Sequence, residues 1–334
     1  MIRLQAMPMN TLDDARAALQ KAVEVEFGTL PPYLYSLFSI PPEVNVAAAT
    51  RIHSVVLEEM IHMCLACNML NAIGGTPRIT APLYPGPLPN DIGHLILHLY
   101  PFSPAAMTQA MAIESADHPH EFPDLLAAAP ETEEAGDSIA DFYRKIDGLL
   151  AALPDSDWAA DRNQIDDNQF FAGQLFPIRN YADARKAIFD IISEGEGSAL
   201  GPLDFEGEMS HYYRFQEISR NQVLVRDSGS FAWGGPLGVD WALAYDAISD
   251  PGSHDFADEP EAARLAQAAC DAAFTRMIAE LQGAVEGKIG ALGRAVRAMM
   301  DLRMAAHVAF TTPLNDGRVA GPSFKVIAPA GEPA

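Results

Sequence analysis

Glu59 and His62 stand three residues apart in the run Glu-Met-Ile-His. On a helix of about 3.6 residues per turn both side chains leave the same face, so a carboxylate and an imidazole converge there. Oxygen and nitrogen donors of this kind suit iron, manganese and zinc, whereas softer metals favour thiolates. The apolar positions around the pair, Ile52, Val55, Ala66, Met69 and Ile73, mark one helix stripe, and both residues fall inside it. A carboxylate on the core side is costly unless it has a partner. Glu58 falls at the edge of the stripe and reads as solvated.

Other stretches offer partners. Glu26 borders the apolar face Leu19, Val23, Phe27, Leu30 and Leu34, and Glu114 shares a face with Met107, Ala110 and Met111. His211 shares a face with Phe215 and Ile218, and Glu208 precedes it by three, which makes a second Glu-x-x-His. One Glu from each of two helices, with a Glu-x-x-His from each of two others, is the ligand pattern of dinuclear carboxylate bundles. Each residue also has a plain structural reading: Glu26 as a solvated helix edge, Glu114 as a partner for an arginine, His211 as a satisfied core histidine. Inward-facing positions on separate helices, taken together, favour metal.

These residues need long helices to hold them. Helical patterning predicts segments at about 11–37, 45–73, 103–116, 138–153, 181–193 and 206–218, with Pro31-Pro32 bending or breaking the first and Gly74-Gly75 stopping the second. Residues 76–103, rich in Pro and Gly, read as a long ordered loop and a candidate lid. Val223-Leu224-Val225 opens the one convincing β signal, over 221–236. Two Ala-rich helices, about 259–282 and 286–311, form a hairpin in the tail. The expected fold is all-α: a four-helix metal-binding bundle over 1–220, and a C-terminal extension over 221–334 that packs its helical hairpin on the bundle.

With 45 acidic against 22 basic residues and a net charge of −23, the chain repels nucleic acid and anionic membranes. Three cysteines argue against a disulfide framework, and Cys64-x-x-Cys67 inside a helix lacks the context of a redox motif. No segment reads as a membrane span and the first ten residues do not read as a signal peptide, so the cytoplasm is the expected compartment. A homo-oligomer is compatible with all of this.

Several ordered motifs resemble one family. They are Leu19 through Leu34 with Glu26-Phe27-Gly28-Thr29-Leu30-Pro31-Pro32-Tyr33, Glu58-Glu59-Met60-Ile61-His62, and Asn68 through Pro77. Tyr84-Pro85-Gly86-Pro87, Ile113-Glu114, Gly195-Glu196-Gly197 and His211-Tyr212-Tyr213-Arg214-Phe215 follow in order. They resemble the ferritin-like domain family of the iminophenyl-pyruvate dimer synthase type, which includes a domain of violacein and rebeccamycin pathway enzymes. The resemblance covers about 11–220 and implies a ferritin-like bundle. It also implies that Glu196, ahead of Glu208, pairs with His211, and it demotes Glu194, which stands where relatives often carry Gln. The implied metal ligands are Glu26, Glu59, His62, Glu114, Glu196 and His211, holding two ions, with iron expected and manganese or zinc as alternatives. The function expected is a di-iron oxidoreductase acting on a small organic, amino-acid-derived substrate of secondary metabolism. The alternative is a non-enzymatic metal-binding, storage or accessory protein.

Overall fold

The computed structural model describes the chain apart from residues 1–2, 6, 90, 92, 94, 116–136, 160, 167–169, 172, 197–201, 205, 228–229 and 328–334, and the side chains of Glu196 and Asp227. Helix α1 (Leu12–Phe38) begins at a capping box in which Thr11 accepts from the Asp14 backbone and Asp14 accepts from that of Thr11. Helix α2 (Val46–Ala72) lies along it and ends at Gly74, whose φ of 76° suits a residue without a side chain.

The predicted bend or break at Pro31-Pro32 does not end α1, which runs through both prolines. Pro32 cannot donate to the Gly28 carbonyl one turn back. The Tyr84 hydroxyl donates to that carbonyl instead, at 2.6 Å. Gly28 makes room for the approach, since a Cβ there would meet Leu88 at 2.3 Å. The loop predicted over 76–103 thus holds α1 together, with Leu88, Leu97, Leu99 and Phe102 buried. Two short strands, β1 (Gly86–Pro87) and β2 (Ile96–Leu97), pair within it.

Four shorter helices complete the bundle: α3 (Pro104–Ile113), α4 (Ile139–Ala151), α5 (Tyr181–Glu196) and α6 (His211–Arg220). Toward one end α1 meets α4 and α2 meets α5, and toward the other α1 meets α3 and α2 meets α6; α4 packs on α5 and α3 on α6. The third and fourth columns of the bundle are therefore each made of two pieces. Helix α6 starts at His211, with Ser210 as N-cap, and not near Glu206 as the sequence suggested. Asp204 explains the shift: its carboxylate accepts from the backbone of Glu206 and Glu208 at 2.9 Å, folding that stretch into a turn.

Strands β3 (Gln222–Asp227) and β4 (Ser230–Pro236) form the expected hairpin. Helices α7 (Glu261–Val285) and α8 (Ala291–Phe310) form the tail's helical hairpin. The main core is continuous from the bundle into this hairpin: Phe27 stacks on Phe274 and Tyr35 meets Phe310 edge-on. Asn71 donates to the Val285 carbonyl at 2.8 Å, and Asn45 and Asp240 exchange two bonds at 2.8 and 2.9 Å. The tail covers the bundle as a second layer. Cys64 and Cys67, both buried, face the core, and burial pushes the Cys64 thiol up to about 12.

Candidate metal centre

The level at which the third and fourth columns break is where the acidic and histidine residues meet. Glu114 caps the C-terminus of α3, Glu194 lies in the last turn of α5, and His211 is the first residue of α6. Unbroken α1 and α2 carry Glu26, Glu59 and His62 past the same point.

The buried groups fall into two clusters that share Glu59: Glu26, Glu59 and His62 in one, Glu59, Glu114 and His211 in the other. His62 Nδ1 lies 3.7 Å from Glu26 Oε2 and 3.9 Å from Glu59 Oε1. His211 Nδ1 lies 2.9 Å from Glu59 Oε1 and 3.5 Å from Glu114 Oε2. The imidazoles stack with centroids 5.6 Å apart. Each ring turns Nε2 away from the centre, His62 to Glu194 Oε2 at 2.7 Å and His211 to Glu58 Oε2 at 2.9 Å. A carboxylate on Nε2 favours a proton there and leaves Nδ1 as the free lone pair, as in carboxylate–histidine–metal triads.

Hydroxyls hold the carboxylates. Tyr143 donates to Glu26 Oε1 at 2.6 Å, Tyr33 donates to Glu114 Oε1, and Thr29 donates to Glu59 Oε2 at 2.7 Å. The opposite oxygen of each carboxylate faces a histidine Nδ1. His211 Nδ1 is fully buried and, although 2.9 Å from Glu59 Oε1, makes no well-aligned hydrogen bond among the described residues. A lone pair set against carboxylate oxygens in a dry site is unfavourable by itself. A divalent cation between them removes the conflict, and the oxygen and nitrogen donors fit iron, manganese or zinc.

Without a metal, protons answer the same conflict. Burial, with Glu114 and Glu26 close by, raises the Glu59 carboxyl to about 7 against the pull of His211. Burial alone lowers the pKa of His62, but Glu194 and Glu26 outweigh it and hold the ring well above its usual value. His211 is likewise held high against burial, by Glu114, Glu58 and Glu59.

Of the residues named from sequence, Glu26, Glu59, His62, Glu114 and His211 come together here. The Glu196 side chain lies outside the described residues. Glu208, its rival for His211, is exposed on the turn before α6 and lies 3.6 Å from Arg214. Two residues were missed. Glu58, read as solvated, sits between His211 and Arg214, which it accepts from at 2.6 Å. Glu194, set aside on the resemblance, binds His62. Neither has a spacing signal of its own, because each serves a histidine on another helix. Away from this centre, His98 binds Asp250 at 2.6 Å; His94, His118 and His120 lie outside the described residues.

An all-α four-helix bundle with inward-facing Glu and His at its centre is the architecture of dinuclear carboxylate proteins. The chain belongs to the ferritin-like family, whose model matches residues 19–220. It is 26% identical over 267 residues to a 2-imino-3-(indol-3-yl)propanoate dimerase of Chromobacterium violaceum, a match that takes in 65% of this chain and 24% of that protein. The chain thus spans about a quarter of the length of this relative. A crystal structure of a ferritin-like protein from Caulobacter vibrioides superposes with a TM-score of 0.65, at 21% identity, covering 95% of this chain and all of the other. That likeness extends the shared fold into the C-terminal hairpin.

Proposed function

We propose that the chain is a di-iron oxidoreductase acting on a small organic, amino-acid-derived substrate of secondary metabolism. The observation that carries the reading is the pair of imidazoles that turn their Nδ1 atoms toward one shared carboxylate, Glu59. Glu26, Glu59 and His62 would hold one ion, and Glu59, Glu114 and His211 the other, with Glu196 offered by its sequence motif as a further ligand. Bound there, the metal pair supplies the redox chemistry, reducing dioxygen while the substrate is oxidised.

The protein's own residues set the conditions. Glu194 and Glu58 fix the ring orientations, while Tyr143, Tyr33 and Thr29 fix the carboxylates. Burial of all five proposed ligands described excludes bulk water. A polar pocket of about 130 Å³ reaches His62 and Glu194 from the side of Lys186 and Asp190. The substrate class follows from the imino acid named for the relative. We place the metal-binding unit at 1–220 and read 221–334 as its cover.

The test is metal analysis of aerobically purified protein beside His62→Ala, followed by oxygen uptake with amino-acid-derived imines. About two irons per chain, lost in the variant, with substrate-dependent uptake, is the expected result. Metal without uptake assigns the bundle to binding or storage. No metal after anaerobic loading with ferrous iron removes the oxidase reading.

A further inference from the structure

A second cavity, of about 740 Å³, lies between the α1–α2 pair and the α7–α8 hairpin. It is lined from α1 by a face roughly a quarter of a turn from Glu26, and from α2 by a face about a third of a turn from Glu59 and nearly half a turn from His62. Its volume falls within the ~300–1,000 Å³ usual for small-molecule sites. The walls are apolar, among them Leu34, Val56, Met60, Met277 and Met299. Cationic groups gather at one part of the lining. Arg303 and His307 are one turn apart on α8, and His53 of α2 is close enough to feel the Arg303 charge. Burial and Arg303 together lower the pKa of His53, so the fixed positive charge there at neutral pH is that of Arg303. Among the described residues no carboxylate ion-pairs with Arg303, although the chain carries a net charge of −23. Arg303 and His307 are exposed, as is the acid in the lining, Glu43, so the charged groups lie on the solvent side of the cavity.

We infer that this cavity binds a hydrophobic carboxylate, a long-chain or aromatic acid whose apolar body fills the space between the helix pairs and whose anionic head meets Arg303. An apolar cavity on its own would select only for size. A guanidinium left without a partner at its lining adds a preference for a carboxylate, which it can bind through two parallel hydrogen bonds. A neutral lipid or hydrocarbon leaves that charge unanswered. The site is separate from the metal centre, so the inference does not rest on the proposed reaction.

The probe is a dansyl-labelled undecanoic acid, titrated into the full chain and followed by fluorescence, with palmitate and its methyl ester as competitors. Saturable binding of about one probe per chain is expected, displaced by palmitate and far less by the ester. Arg303→Leu should weaken it at least about tenfold. Ala49→Trp, which fills the lining from α2, should abolish it while the thermal melt stays cooperative. His62→Ala should leave it unchanged. Equal displacement by acid and ester, or full affinity in Arg303→Leu, overturns the proposal. So does a chain that binds no probe and sediments as a dimer disrupted by Met300→Glu, since Met300 lines the cavity and is 56% exposed; that result gives the face to a second copy.

Discussion

His62 and His211 each point Nδ1 inward and bind a carboxylate through Nε2, yet the two outer carboxylates have different surroundings. Glu58 is clamped: Arg214 donates to it at 2.6 Å and is itself held by Ser54 and the Met209 carbonyl. Burial would raise the Glu58 carboxyl, but His211 and Arg214 take it down to about 2. Among the described residues no arginine ion-pairs with Glu194, which binds the His62 ring at 2.7 Å. It borders the small polar pocket with Asp190, whose own carboxyl is raised by burial against the pull of Lys186. The His211 half is closed by a fixed ion pair, and the His62 half faces a polar opening. The lesson is that similar inner geometry can be supported by one rigid and one adjustable outer layer.

The largest effect should come from the residue both halves share. Glu59→Gln removes a carboxylate from both clusters, so iron content should fall from about two per chain to well below one, measured by elemental analysis. Retention of a full pair would remove Glu59 from the centre. The outer carboxylates should then separate the halves. Glu58→Gln leaves Arg214 buried without its counter-charge and should cost about 3 kcal/mol of folding stability in chemical denaturation. Glu194→Gln should cost little stability and weaken metal at the His62 half by roughly tenfold or more. Equal losses in the two variants would erase the contrast.

Titration of the metal-free protein should sharpen the same picture. Glu59 holds its proton to about 7 in the fold against 4.5 as an ordinary side chain, so the folded state binds more protons between those values. Stability therefore falls as pH rises through that window. His62 and His211, held above 6.5, contribute stability that is complete below 6.5 and lost as pH rises through their folded pKa values. Glu58 acts oppositely: its contribution is present above 4.5 and lost as pH falls toward 2. Melting temperature without metal should thus peak near pH 5 and drop by several degrees by about pH 8. Apparent metal affinity should rise over the same range, because binding displaces those protons. A metal-free protein that grows more stable from pH 5 to 8 would contradict the buried charge pattern.

How much of this was legible depends on whether the signal was local. Glu59 and His62 announce themselves because both lie on one helix stripe. The long helices, the β hairpin and the C-terminal helical hairpin follow from periodicity and from turn residues such as Gly74. Glu58 was illegible because its meaning comes from Arg214 and His211, more than 150 residues away. The continuity of α1 through Pro31-Pro32 was hidden for the same reason, since the compensating donor, Tyr84, comes from a distant loop. The start of α6 was misread because Asp204 competes locally for the backbone of Glu206 and Glu208.

The smallest expected effects belong to the two tyrosines, and they address the contrast most directly. Tyr143 donates to Glu26 in the His62 half, and Tyr33 donates to Glu114 in the His211 half. Each holds one carboxylate oxygen so that the other faces its histidine. Removing either hydroxyl leaves a buried acceptor short of one bond, at about 1 kcal/mol of stability. The metal should respond by half. Tyr143→Phe should alter the Mössbauer signal of one iron and Tyr33→Phe that of the other, with the Tyr143→Phe change larger because no arginine among the described residues ion-pairs with Glu194 to restrain it. Identical spectra from the two variants would mean that both irons feel a common environment and that the two halves do not respond separately.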